Sequence, residues 1–477
     1  MKQIRTRLAP SPTGNPHIGT LFQALFDYVY AKKKNGRFIL RIEDTDKKRE
    51  VKNAEKSIFK ALNWLGLNPD ESTKHGGDFG PYRQSKRLNL YQKYAKELID
   101  KGHAYYCFCS PKRLDKVRKD QQKKDLPPMY DKHCLSLSKK EVESKLKKQS
   151  YVIRLKVPQN KTIIVNDLIR GKIKFNSNTV NDQVLLKSDG FPTYHLAVVV
   201  DDHLMKITHM VRGEEWISSA PKHVLLYQAF NWQPPKFIHT PLLRNPDRSK
   251  LSKRHGHASV SWYRNQGYLP EAVINFLATR VWNHPKAKEI FDINQLIKYF
   301  EFKDMHTQGP IADIDKLNWI NSQWIRKLPQ KQIFNYLKLY KPQALSDDLL
   351  KKIWPLINQR MEKLSELESL TEYFISQPKL NLKTILKESK MDKTQTKEYL
   401  NQVEEVIKKI TNWQVNTINK ALHALQQKQK LKPRPAFMTL RLAITGRAFT
   451  PPLFDVLEVL GKQTVIKRLQ YAQKNLS

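Results

Sequence analysis

Pro10-Ser-Pro-Thr-Gly-Asn-Pro-His17-Ile-Gly-Thr20 is a loop that ends where a helix begins. Proline, glycine and asparagine punctuate it, and beyond it Leu21, Phe22, Leu25, Phe26, Val29 and Tyr30 recur at helical spacing until Gly36 stops the pattern. Residues 3–9 read as a short strand, and Arg37-Phe-Ile-Leu-Arg-Ile42 as a second, buried one. Strand, helix and strand at this length make a βαβ unit. Ligands of such units bind where strands end and helices begin, and the positive N-terminus of the helix, with its exposed N–H groups and His17, suits phosphate. Gly19 carries no side chain that would keep an adenine off the backbone. Glu43 and Asp44-Thr-Asp46 fall at the C-terminal edge of the second strand.

Lys250-Leu-Ser-Lys-Arg254 supplies mobile cations about 230 residues later. Lys250, Lys253 and Arg254 make sense in the same site if negative charge builds on a departing pyrophosphate. Alone, a tetrapeptide like His17-Ile-Gly-Thr20 is more often a capped turn, and a basic run like the second segment more often a solvated loop. Together they describe an ATP site.

The chain has 477 residues, 40% of them hydrophobic, enough for two to four domains with proper cores. Lys and Arg number 85 against 45 Asp and Glu, a net charge of +40, which implies a polyanionic partner, most economically a nucleic acid. The surplus is not a tail: residues 321–477 hold 28 basic and 13 acidic side chains, net +15, leaving +25 before them. Three cysteines, all between Cys107 and Cys134, exclude a disulfide framework and fit a reducing compartment. No apolar run approaches membrane-spanning length. The opening Met1-Lys-Gln-Ile-Arg-Thr-Arg-Leu enters the loop motif too soon for a secretory or transit segment, so the expected location is the cytoplasm.

Residues from about 105 to 150 turn Lys-rich and polar and read as an insertion. Tyr194-His-Leu-Ala-Val-Val-Val200, ending in Asp201-Asp202, reads as a buried strand of the second half of the sheet, and Trp216 to Phe230 as a helix. After about residue 320 strand signals fade, and 349–369, 399–411 and 452–474 show amphipathic helical spacing.

His17-Ile-Gly-Thr20 and Lys250-Leu-Ser-Lys-Arg254 resemble the HIGH and KMSKS motifs of class I aminoacyl-tRNA synthetases. Further ordered segments resemble the bacterial glutamyl-tRNA synthetase family throughout the catalytic part. They are Arg5-x-Arg7-x-Ala-Pro-Ser-Pro-Thr-Gly14, Arg37-Phe-x-Leu-Arg-Ile-Glu-Asp-Thr-Asp46, Gly80-Pro-Tyr-x-Gln-Ser85, Tyr194 with Val199-Val-Asp-Asp-His203, and Arg212-Gly-Glu-Glu-Trp216. A weaker similarity, with Trp319-Ile-Asn near its start, runs on into the helical remainder. The resemblance implies an α/β fold: a Rossmann-type class I catalytic domain with an inserted acceptor-binding subdomain, followed by an all-helical anticodon-binding region. The expected divisions are 1–104 and 191–240 for the two catalytic halves, 105–190 for the insertion, 241–320 for a stem-contacting connector carrying the Lys250 loop, and 321–477 for the anticodon-binding region.

The chemistry implied is ATP-dependent ligation of glutamate to tRNA(Glu): the α-carboxylate attacks the α-phosphate of ATP bound to Mg2+, pyrophosphate leaves, and the terminal ribose hydroxyl of the tRNA takes the glutamyl group. Such an enzyme positions and neutralises, which fits the lack of an evident nucleophile and base pair. His17, Gly19, Thr20, Lys250, Lys253 and Arg254 match the family's ATP-handling positions. Arg7 and Arg212 match its carboxylate-binding arginines, apt because a guanidinium fork holds a carboxylate bidentately. Glu43 matches the carboxylate near the amino group, Tyr194 lines the pocket, and Ala9 and Ser11 lie at the substrate.

Cys107, Cys109 and Cys134 suit a tetrahedral Zn2+, which needs a fourth donor. Some family members place Cys-x-Cys and a later Cys-x-His here; this chain has Ser136 where the histidine would stand. Tyr130, which matches a ligand of the related glutamyl-queuosine enzymes, and His133 are the two candidates. Arg360, in Gln359-Arg-Met, loosely matches an anticodon-reading arginine, and whether tRNA(Gln) is also charged stays open. A glutaminyl enzyme is disfavoured by Arg212, a glutamyl-queuosine enzyme by the long helical C-terminus, and a non-catalytic RNA-binding protein by the intact His17, Gly19, Lys250 and Lys253. The family's habit implies a monomer.

Overall fold

The computed structural model describes residues 3–249, 251 and 258–476. Lys250, Lys253 and Arg254 therefore lie outside the described residues. Contacts divide the chain into two compact units, Met1–Arg264 with Pro270–Leu317, and Asn265–Leu269 with Asn318–Ser477.

The first unit opens with the expected strand, helix and strand: β1 (Arg5–Leu8), α1 (Ile18–Lys33) and β2 (Arg37–Leu40). β1 and β2 are parallel, in register from Arg5↔Arg37 to Leu8↔Leu40. Gly36 is where the chain turns back against β1. A Cβ there would lie 2.2 Å from the Ile4 carbonyl oxygen, which accepts from the Arg37 N–H at 2.8 Å. α2 (Ala54–Trp64) and α3 (Leu88–Asp100) lead to β3 (Ala104–Cys107). The polar stretch then gives α4 (Pro111–Gln122) and α5 (Lys139–Leu146), neither of which buries a residue. β4 (Val152–Leu155) follows, then the hairpin β5 (Thr162–Asp167) and β6 (Gly171–Asn176), then β7 (Val184–Leu186). β3, β4 and β7 form a small antiparallel sheet.

The second half of the catalytic sheet differs from the sequence reading. Tyr194–Leu204 is a helix, α6, and the strands are β8 (His209–Gly213) and β9 (Lys236–Thr240), separated by α7 (Ala220–Ala229). α6 buries Leu196, Ala197, Val198, Val199, Val200, Asp201 and Asp202 in succession. A helix covered on every side shows no polar face, and a short apolar run then has the pattern of a buried strand. The main sheet has the order β2-β1-β8-β9-β5-β6, parallel except for β6. The β5–β6 hairpin thus returns to the central sheet from within the segment read as an insertion.

The second unit is helical. Helices at Lys393–Lys409, Val415–Lys428, Pro433–Thr445, Leu453–Leu460 and Lys462–Asn475 enclose a core that includes Leu400, Val403, Leu422, Leu440, Leu457 and Leu469. No helix among the described residues is long and apolar enough to cross a membrane.

Candidate active site

The loop from Ala9 to His17 is pinned at the C-terminal edge of the sheet. Pro10 and Pro12 accept from the backbone N–H groups of Glu43 (3.0 Å) and Val51 (2.9 Å), and Leu8 accepts from Arg41 (3.0 Å). His17 caps α1: its Nδ1 accepts from the Gly19 N–H at 3.0 Å. That bond places the ring proton of a neutral imidazole on Nε2. A Cβ on Gly19 would sit 3.0 Å from the same Nδ1, so the glycine leaves room for the cap. His17, Gly19 and Thr20 line a cavity of about 330 Å³ with Gln23, Leu242 and Leu251. Ser259 pairs antiparallel with the His17 backbone, and the Val260 N–H donates to Pro16 at 3.2 Å. Leu251, within the basic segment, therefore lines this cavity, and Ser259, beyond that segment, pairs with the cavity residue His17.

A larger cleft of about 850 Å³ adjoins it, and Gln23 lines both. All six residues expected at the amino acid, Arg7, Ala9, Ser11, Glu43, Tyr194 and Arg212, line this cleft. Trp216, whose ring centroid lies 4.3 Å from that of Tyr194, lines it too.

Beneath the cleft floor lies a buried network that no single segment of sequence announces. Asp202, fully buried, pairs with Arg41 at 2.6 Å and Arg7 at 3.2 Å. Arg41 also pairs with Glu43 at 3.0 Å, and Arg87 with Asp201 at 2.7 Å. Gln84 and Tyr91 donate to Asp201, each at 2.9 Å. Pairing and hydrogen bonding of this kind offset the cost of burying these charges. Burial raises the Glu43 carboxyl above its usual range, with Arg41 opposing. Burial also lifts Asp27 well above the carboxylate range, against the pull of Arg7, and neither of its oxygens has a partner.

Arg212, on β8, is held differently. It donates from Nε to His239 Nε2 at 2.9 Å, and from Nη1 to His223 Nδ1 at 3.0 Å and to the Tyr194 hydroxyl at 3.4 Å. Its Nη2 is buried without a partner. His223, on α7, and His239, on β9, were invisible in the sequence as site residues, since a lone histidine 11 or 27 positions away carries no motif.

Away from the cleft, the sulfurs of Cys107, Cys109 and Cys134 all lie within 4.8 Å of one another. The Tyr130 hydroxyl is 3.4 Å from both Cys107 and Cys109 Sγ, whereas His133 is exposed and contributes no atom to the cluster. The Phe108 N–H donates to Cys134 Sγ at 3.4 Å. Three thiols and a phenol make a ligand set that fits Zn2+, with Tyr130 as the fourth donor and the Phe108 N–H supporting the Cys134 sulfur by a hydrogen bond.

In the helical unit Arg360 is exposed and shares a cluster with Arg441, Arg447 and Tyr373. All three arginines act electrostatically on the Tyr373 hydroxyl, which burial raises to about 12. Arg447 pairs with Glu372 at 2.6 Å, and two residues on, Phe449 is 89% exposed.

A family described as tRNA synthetases class I (E and Q), catalytic domain, matches residues 3–319. The chain belongs to that family. A second family, described as an anticodon-binding domain, matches residues 331–473 of the synthetase. Among its relatives, the glutamate–tRNA ligase of Marinomonas sp. (strain MWYL1) is 43% identical over 473 residues, covering 99% of the synthetase and 96% of the relative. That of Pseudomonas aeruginosa PAO1 is 42% identical over 473 residues, covering 99% and 95%. The synthetase also superposes on the crystal structure of a glutamate tRNA ligase from Elizabethkingia meningosepticum in complex with its amino acid, with a TM-score of 0.92, 35% identity and complete coverage of both chains.

Proposed function

We propose that this synthetase is a glutamate–tRNA ligase, activating glutamate with ATP and transferring it to the 3′ end of tRNA(Glu). The observation that carries the reading is the cleft itself, which Arg212, with its buried and unsatisfied Nη2, lines together with Arg7 and Glu43. A dicarboxylic amino acid supplies what that space lacks: Arg212 takes the side-chain carboxylate, Arg7 the α-carboxylate, and Glu43 the ammonium, with Ala9, Ser11 and Tyr194 as walls. In the neighbouring cavity His17, Gly19 and Thr20 seat magnesium-bound ATP. Lys250, Lys253 and Arg254 meet the pyrophosphate, a role supported by Leu251 lining that cavity and by Ser259 pairing with the backbone of His17.

In the first step a glutamate carboxylate oxygen bonds to the α-phosphorus as the bond to pyrophosphate breaks. In the second the tRNA ribose hydroxyl attacks the acyl carbon and AMP departs. The protein's part in both is alignment and charge neutralisation. Residues 105–190 hold the acceptor end and 321–477 read the anticodon, where exposed guanidinium groups and an exposed aromatic ring suit unpaired bases. The reading carries with it a cytoplasmic monomer.

The test is aminoacylation with glutamate and with glutamine, on tRNA for each, with Lys253→Ala as control. Charging of glutamine, or of neither, would overturn the proposal. Gly19→Ala should raise the KM for ATP about tenfold by crowding the His17 cap, with little change in the KM for glutamate, as steady-state kinetics would show. Arg360→Gln should raise the KM for tRNA about three- to tenfold and leave the KM for glutamate alone.

Cys107, Cys109, Tyr130 and Cys134 hold a structural zinc ion that crosslinks β3 to the segment after α4. Protein purified without chelator should contain about one equivalent of zinc, and Cys109→Ser should lose most of it and melt earlier. Zinc below a few tenths of an equivalent in the unmodified protein sinks this assignment.

A further inference from the structure

We infer that His223 and His239 form a neutral bracket that keeps Arg212 free of any carboxylate counter-ion, and that this bracket sets the preference for a fully anionic substrate side chain over its amide. The inference rests on the proposed meeting of Arg212 with the glutamate side chain and goes beyond it. It assigns the discrimination to two residues that do not touch the substrate.

A guanidinium only donates hydrogen bonds, so each ring nitrogen facing it must be an unprotonated acceptor. Nδ1 of His223 therefore carries no proton. The proton sits on Nε2 and is given to Nδ1 of His195 at 3.1 Å, which in turn places the proton of His195 on its own Nε2. Nε2 of His239 likewise carries no proton, and its Nδ1–H is given to Asp167 Oδ2 at 2.6 Å. Every proton in the two chains has one assignment, and all three imidazoles are neutral. Burial supports this. It lowers His223 well below the usual imidazole value and His195 to about 3, and it lowers His239 despite the opposing pull of Asp167.

The other arginines under the cleft are arranged in the opposite way. Arg7 and Arg41 each bond to Asp202, and Arg41 also to Glu43. An arginine already paired with a carboxylate presents a dipole, which an amide satisfies nearly as well as an anion does. Arg212 has three neutral acceptors and, among the described residues, no ion pair. The carboxylate behind it, Asp167, is one whole imidazole away. A buried, uncompensated cation with an unfilled Nη2 gains far more from a carboxylate than from an amide oxygen, and a site built around a missing partner rejects the analogue that cannot supply it. The bracket thus fixes the fork by hydrogen bonds while leaving its charge intact. His223 and His239 are positioning residues.

The test compares two substitutions of nearly equal shape that differ by one charge. In His223→Asn the amide oxygen replaces Nδ1 as a neutral acceptor; in His223→Asp a carboxylate stands at the same place. The readout is the ratio of kcat/KM for glutamate to that for glutamine in aminoacylation, with the KM for ATP alongside. His223→Asn should keep the ratio within about threefold of the unmodified enzyme, whereas His223→Asp should lower it by about a hundredfold, chiefly through a higher KM for glutamate. Equal ratios in the two variants would mean that His223 serves packing alone, and the inference would fall. If His223→Asp does not fold, as judged by circular dichroism, His223→Leu takes its place. A rise of about tenfold in the KM for glutamate in the leucine variant but not in the asparagine variant supports the bracket, and no difference overturns it. Arg212→Gln is run in parallel. An unchanged KM for glutamate there removes the premise, and so separates failure of the substrate assignment from failure of the bracket.

Discussion

Arg212→Gln should lower kcat/KM for glutamate by about two to three orders of magnitude, almost all of it through KM, while the KM for ATP stays within about twofold. The arginine makes three hydrogen bonds to the protein and has one nitrogen left, buried and unpaired. A substrate carboxylate placed there completes it with charge-assisted bonds, each about 1.5–3 kcal/mol. Glutamine as the replacement side chain keeps the bulk and some polar contact with His223 and His239, so the loss reports charge rather than a cavity. Steady-state aminoacylation at saturating ATP and tRNA measures it, and a KM for glutamate unmoved by the substitution would end the assignment of Arg212 to the side-chain carboxylate.

Asp202→Ala should destabilise the first unit by about 3–5 kcal/mol, because it removes the carboxylate that two buried guanidinium groups share and leaves Arg7 without an ion pair. Asp202 has no exposed surface and pairs with both Arg7 and Arg41, the latter itself fully buried. Urea unfolding followed by circular dichroism gives the number, and a loss below about 1 kcal/mol would show that the network relaxes around the gap. The same ion pair has a pH signature. Burial pushes the Asp202 carboxyl up, but Arg7 and Arg41 together outweigh it and hold the group below the usual aspartate value. A carboxylate with a depressed folded-state pKa stabilises above its unfolded value, about 4, and that contribution is lost as pH falls through the lowered one. Stability of the unmodified chain should therefore fall as pH drops below about 4, and Asp202→Asn should flatten that part of the profile.

The first strand, helix and strand were legible because each signal was local: an apolar repeat, a proline-rich loop before it and Gly36 after it. The residues that line the larger cleft were legible only through ordered motif resemblance, since Arg7, Glu43, Tyr194 and Arg212 come from four separate segments and nothing in their spacing joins them. α6 was misread as a strand for a physical reason: a helix packed on every side sheds the polar stripe that betrays its period. The same burial hid β8 and β9 behind it in the reading. His223, His239 and Asp167 escaped notice because their significance lies in which ring nitrogen faces which neighbour, a property of the folded chain. The cysteines suggested a metal site but left its fourth donor open, and placing the Tyr130 hydroxyl 3.4 Å from two of the sulfurs took three dimensions.

The hairpin that closes the main sheet has a bearing on solubility. β6 forms the outer edge, pairing antiparallel with β5 on one side only, and an open edge of unpaired backbone is a template on which another chain can add a strand. Lys172 and Lys174 stand exposed at alternate positions along it, with Lys174 opposite the exposed Ile164. Two like charges at a strand spacing of about 7 Å repel an approaching copy of the same edge. The single antiparallel strand thus gives a nearly all-parallel sheet a terminus that discourages aggregation.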